Sequence, residues 1–123
     1  MPEPPSESAI VREIVTELGR LGYEVLAVGQ RKAKGSGTAV GYPDLSVRRV
    51  GWPRGLACLI EVKSEGGELR PEQQDLHERD WSFVARSADS ALCSLRAFEL
   101  SIGEDAAAER IERRIRIMRG GGR

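Results

Sequence analysis

Aromatic side chains are scarce in this sequence: they make up 5% of its 123 residues. The core must therefore be largely aliphatic, and 40% hydrophobic residues are enough for one compact domain but not two. Long apolar runs are missing as well, and none approaches the roughly 18 residues that a membrane span needs. The opening MPEPPSES has no basic segment followed by a hydrophobic stretch, so no secretion signal is expected there. Net charge is absent too, because 19 basic residues balance 19 acidic ones. That excludes a generally basic nucleic-acid binder but leaves room for local patches. Cysteine occurs twice and histidine once. Cys58 and Cys93 have neither metal-site nor disulfide spacing, and both are expected as buried, reduced thiols of a cytoplasmic protein. His77, flanked by Glu78 and Arg79, reads as a solvated surface residue. Ser64 and Cys58 lack a neighbouring base that would make a nucleophilic dyad.

Periodicity organises what is present. A loose, proline-rich segment (1–5) precedes a helix that Ser6 can cap, with an apolar stripe of Ile10, Val11, Ile14, Leu18 and then Leu21. Strands are expected at 23–29, 44–50 and 55–63, the last two joined by the turn signal GWPRG. Pro71 suits the first position of a helix over 71–80. A strand, FVARS, and two helices, ADSALCSLRAFEL and EDAAAERIERRIRIM, complete the chain before a GGGR tail. The order α-β-β-β-α-β-α-α predicts an α/β fold: a mixed sheet of about four strands, with hairpin neighbours and one β-α-β crossover, flanked by helices.

The charges are unevenly placed. Arg31, Lys32 and Lys34 share a glycine-rich loop, and six arginines fall between Arg110 and Arg123. The loop's GSGTAVG lacks the spacing and the following helix of a dinucleotide-binding turn, and it lacks the ending of a P-loop. Contact with a phosphate backbone fits the loop's basic residues, and a plain connector fits it equally. The arginine-rich last helix, with Ile111, Ile115 and Met118 on one stripe, reads either as a packed helix with a solvated basic face or as an attractor of nucleic acid.

The stretch ACLIEVKS (57–64) is more specific. It sets Glu61 and Lys63 on one face of a strand, beside residues that should be buried. In a hairpin centred on GWPRG, Val47 opposes Cys58 and Asp44 opposes Glu61, to within a residue or two of register. Facing carboxylates destabilise a sheet, so a compensating cation is expected. Hard oxygen ligands favour magnesium, manganese or calcium, while a solvated Lys63 salt bridge is the simpler alternative. On a helical wheel Glu7 is aligned with Ile14 and Leu18, whereas Glu13 and Glu17 fall well off the stripe. A first-turn acid is also favourable at a helix N-terminus for its own sake.

GYPDL, then a strand, then IEVKSEGGELRPEQ resembles the PD-(D/E)xK nuclease superfamily, and more closely the VRR-NUC (virus-type replication-repair nuclease) family. The opening helix with its glutamate, Gly41 to Leu45, Leu69 to Gln73 and FVARS all contribute, so the resemblance covers about residues 6–100. The basic helix at 101–119 lies outside it. The resemblance implies a restriction-endonuclease-like core. It implies Asp44 and Glu61 as metal-binding carboxylates, with the Val62 backbone carbonyl as a further ligand and Glu7 acting through water. Lys63 would activate the attacking water, and Gln73 would be an active-site glutamine, although Gln74 competes for that place. DNA contacts would come from Arg31, Lys32, Lys34 and Ser64. The cofactor implied is Mg2+ or Mn2+, and the products are a 5′-phosphate and a 3′-hydroxyl. The reading is a DNA endonuclease for branched or Holliday-junction DNA. A homodimer is expected because a bare catalytic domain gains affinity and paired cuts by dimerising, through a stripe of the first or last helix. Its rivals are an inactive nucleic-acid-binding or assembly module and a restriction-type or flap nuclease.

Overall fold

The computed structural model describes residues 3–27 and 42–120. Helix α1 (Glu7–Arg20) starts at Ser6, whose hydroxyl accepts the Ala9 N–H at 3.1 Å. Strands β1 (Tyr23–Ala27), β2 (Leu45–Arg49) and β3 (Cys58–Val62) follow, then α2 (Pro71–Glu78), β4 (Phe83–Ala85), α3 (Ala88–Ser101) and α4 (Asp105–Met118). The sheet order is β1-β2-β3-β4, antiparallel across the first three strands and parallel between β3 and β4. The parallel pair requires a crossover, and α2 supplies it. The expected element order and mixed four-stranded sheet are therefore present.

Register follows the hydrophobic alternation. Val47 pairs with Cys58 and Leu45 with Ile60, all four buried on the face that α1 and α3 cover. Ile10, Ile14 and Leu18 of α1 and Leu92 and Leu95 of α3 fill this core. Ile111 and Ile115 of α4 join it from behind α3. Ser46, Leu59, Glu61 and Lys63 alternate onto the opposite face, which is only partly covered.

Four expectations need correction. First, β3 begins at Cys58 rather than near residue 55. The preceding segment turns back on itself, with Leu56 N–H bonded to the Pro53 carbonyl and Arg48 holding the Leu56 carbonyl at 3.2 Å. Second, Cys93 is exposed on α3, whereas Cys58 is buried, and burial pushes its thiol up to about 12. Third, Glu17, placed well off the apolar stripe, is buried all the same, because Arg114 of α4 grips it through two hydrogen bonds of 2.7 and 3.0 Å. That guanidinium holds the Glu17 carboxyl below its ordinary value despite the cost of burial. Fourth, the stripes of α1 and α4 face the core, so they are not available as a dimer interface.

Several arginines of α4 and its C-cap are engaged within the fold. Arg114 binds Glu17, Arg119 binds Asp89 through two bonds of 2.6 Å, and Arg110 donates to the Leu21 carbonyl at 2.6 Å. Arg113 pairs along its own helix with Glu109. Arg114 and Arg119 thus staple the last helix to α1 and α3.

Candidate active site

Asp44 lies one step beyond the Leu45–Ile60 pair, so continuing the ladder sets it opposite Glu61. Alternation puts Glu61 on the partly covered face, and Asp44 stands beside it at the bend that leads into β2. The Asp44 Oδ2 accepts the Val62 N–H at 2.9 Å, which ties the entry of β2 to the end of β3. Glu61 is 3% exposed, and its Oε2 accepts from Gln73 Nε2 at 2.9 Å. Lys63 Nζ stands 3.7 Å from the same oxygen, with its side chain largely buried. A buried carboxylate needs such partners, and here an amide and an ammonium both supply them.

The ambiguity between the two glutamines is resolved by α2. Gln73 is buried, and its Oε1 accepts the Arg70 N–H at 2.8 Å at the start of the helix. With the oxygen engaged there, the amide nitrogen faces Glu61. Gln74 points outward and bonds Glu78. The capping geometry that starts α2 therefore also aims the Gln73 amide at Glu61.

No family model, curated protein or solved structure matches this chain. What the cluster can do rests on its own geometry.

Glu7 is exposed in the first turn of α1 and lines a cavity of about 100 Å³ with Ser8, Val11, Ala27, Asp44 and Leu45. It thus shares with Asp44 a space that water can occupy. Among the described residues, no group of three or more His, Cys, Asp or Glu side chains is arranged to hold a metal ion. The candidate donor set is two carboxylates and a carbonyl, all hard oxygens. That set suits Mg2+, which keeps several waters and needs only one or two carboxylates. Ser64 follows Lys63 in a half-exposed loop. Arg31, Lys32 and Lys34 lie outside the described residues.

Arg86, which the sequence reading passed over, braces this loop. Its Nη1 donates to the carbonyls of Ser64 at 2.9 Å and Gly67 at 2.6 Å. Gly67 packs so closely there that a Cβ would lie 3.2 Å from the Ser64 carbonyl oxygen. His77 is exposed as expected, although its Nδ1 lies 3.0 Å from the Ser82 carbonyl.

A second polar cluster lies on the helical side of the sheet. Glu99, fully buried on α3, accepts from Trp52 Nε1 at 2.9 Å, from Arg49 Nε at 2.5 Å and from the Tyr23 hydroxyl. Burial alone would raise its pKa, but these donors hold it below the ordinary value. Burial and the adjoining Glu99 carboxylate push the Tyr23 phenol upward. Glu99 is enclosed by its donors, so this cluster binds β1, β2 and α3 together and offers no open position for a ligand.

Proposed function

We propose that the chain is a metal-dependent DNA endonuclease that hydrolyses phosphodiester bonds in branched or Holliday-junction DNA. The observation that carries this reading is the gathering of Asp44, Glu61, Lys63 and Gln73 around the end of β3. Asp44, Glu61 and the Val62 carbonyl would hold Mg2+ or Mn2+, with Glu7 reaching the shell through water. When bound, such an ion neutralises charge on the attacking and leaving oxygens of a phosphodiester. Gln73 fixes the rotamer of Glu61, and Lys63 places a positive charge beside it. That ammonium also suits the orientation of an attacking water and the charge that develops on the phosphate. The backbone N–H of Val62 keeps Asp44 over the strand end.

A homodimer would make two symmetric cuts, using a surface other than the core-facing stripes of α1 and α4. Its test is the mass in solution at micromolar concentration, and a monomer there rejects it. The enzymatic test is incubation with four-way junction, flap and linear duplex DNA, with Mg2+ or Mn2+ and with chelator. Cleavage of the junction is expected with metal only. Asp44→Asn or Lys63→Ala should lower the rate by about 10²–10³-fold, as removal of a charge-stabilising group does. No cleavage with metal, or unchanged rates in both variants, rejects the nuclease and favours a binding module.

A further inference from the structure

Two grooves of about 440 and 490 Å³ meet on the partly covered side of the sheet, and both are lined by Tyr42, Arg79 and Trp81. One continues over Pro43 and Leu76, the other over Ser46 and Leu59. Trp81 is 58% exposed, in a protein whose other tryptophan, Trp52, is buried in the core. It follows Asp80, which has φ 64°, the one positive value at a non-glycine position among the described residues. A left-handed turn is unfavourable at a residue with a Cβ, least so at Asp or Asn. Here it ends α2 and leaves the indole on the groove rim rather than in the core.

We propose that this rim, with Trp81 as its platform, takes an unpaired nucleobase of a DNA strand whose phosphate lies at Asp44 and Glu61. The proposal rests on the nuclease reading and names its substrate class: DNA with single-stranded character at the cut. Three observations support it. Leu59 is the next residue after Glu61 on the same face, about 7 Å along the strand, and Ser46 pairs with it. The groove therefore begins within reach of a nucleotide adjoining the carboxylates. The adjoining groove over Pro43 and Leu76 carries Glu72 and Asp75, and Arg79, the one cation among the described residues lining either groove, is paired with Asp75 at 2.9 Å. That charge disfavours a phosphate and leaves the base as the part that enters. Finally, an exposed indole stacks on any base that offers a π-face, and a base inside a continuous duplex does not.

The experiment titrates the full-length chain, in chelator, with a short oligodeoxythymidylate while following tryptophan emission and fluorescence anisotropy. The oligonucleotide is expected to quench the exposed indole. Trp81→Ala should abolish the quenching and weaken binding by about 5- to 150-fold, the equivalent of one stacked base at ~1–3 kcal/mol. Trp81→Phe, which keeps an aromatic platform, should recover most of the affinity. Binding with unchanged emission and equal affinity in Trp81→Ala overturns the proposal, as does the absence of binding. Equal quenching by a continuous duplex overturns the requirement for an unpaired base. A parallel cleavage assay separates the two ideas. Quenching without cleavage in Mg2+ rejects the nuclease and keeps the base site, and cleavage without quenching does the reverse.

Discussion

Gln73 and Gln74 are adjacent, chemically identical and placed in opposite environments. Gln73 joins the Arg70 amide to Glu61, while Gln74 bonds Glu78 on the surface. Groups that orient a metal-binding carboxylate typically matter 10- to 100-fold for affinity or activity. If the cluster is a nuclease site, Gln73→Ala should therefore lower junction cleavage by about that factor and raise the Mg2+ concentration needed. Gln74→Ala should leave both unchanged. Equal effects of the two substitutions, measured as initial rates across a Mg2+ series, would refute the assigned role of Gln73. The Val47–Cys58 register, which carries Asp44 toward Glu61, was legible because it follows from hairpin geometry alone. The choice of Gln73 over Gln74 was not, since it depends on how α2 begins and where it lies against β3.

Among the helices, α4 changed most between the sequence and the structure. Its apolar spacing predicted a packed stripe, and Ile111 and Ile115 are indeed buried. Its arginines read as a solvated basic face or an attractor of nucleic acid, yet Arg110, Arg114 and the C-cap Arg119 are bonded to other parts of the fold. Their partners could not be read locally: Arg114 and Glu17 are 97 positions apart, and Arg119 and Asp89 are 30 apart. A helical wheel built on apolar residues misplaces Glu17 for the same reason, because its burial is created by another helix. Trp81 escaped notice because its exposure depends on the left-handed turn at Asp80. Since α4 completes the core, Ile111→Ala should destabilise the protein by about 2–5 kcal/mol, the range for truncating a buried isoleucine. Urea unfolding checks this, and a loss below ~1 kcal/mol would mean that α4 is only an appendage.

Across the whole fold, carboxylates paired with arginines couple stability to acidity. Glu17 and Glu99 are both held below their ordinary value of 4.5, and Asp89 below 3.8. A lowered carboxylate contributes stability that is fully present above the unfolded value and is lost as pH falls through the folded value. The melting temperature is therefore expected to be flat above about pH 5 and to fall steeply below about pH 4.5. Glu99→Gln should flatten part of that slope. It should also cost about 3–5 kcal/mol near neutral pH, as breaking a buried ion pair by removing one partner does. An unchanged slope in that variant, measured by thermal melts from neutral to acid, would exclude Glu99 from the acid response.

The sheet is laid down in the order of the chain. Each strand is placed beside the one made just before it, so no later strand must be inserted between two earlier ones. During synthesis the β1-β2-β3 meander can form before α2 has emerged, and β4 then joins an edge already waiting. Low sequence separation between paired strands favours rapid formation. Among the described hydrogen bonds that of Glu17 waits longest: its carboxylate belongs to the first helix, and its guanidinium partner arrives with the last.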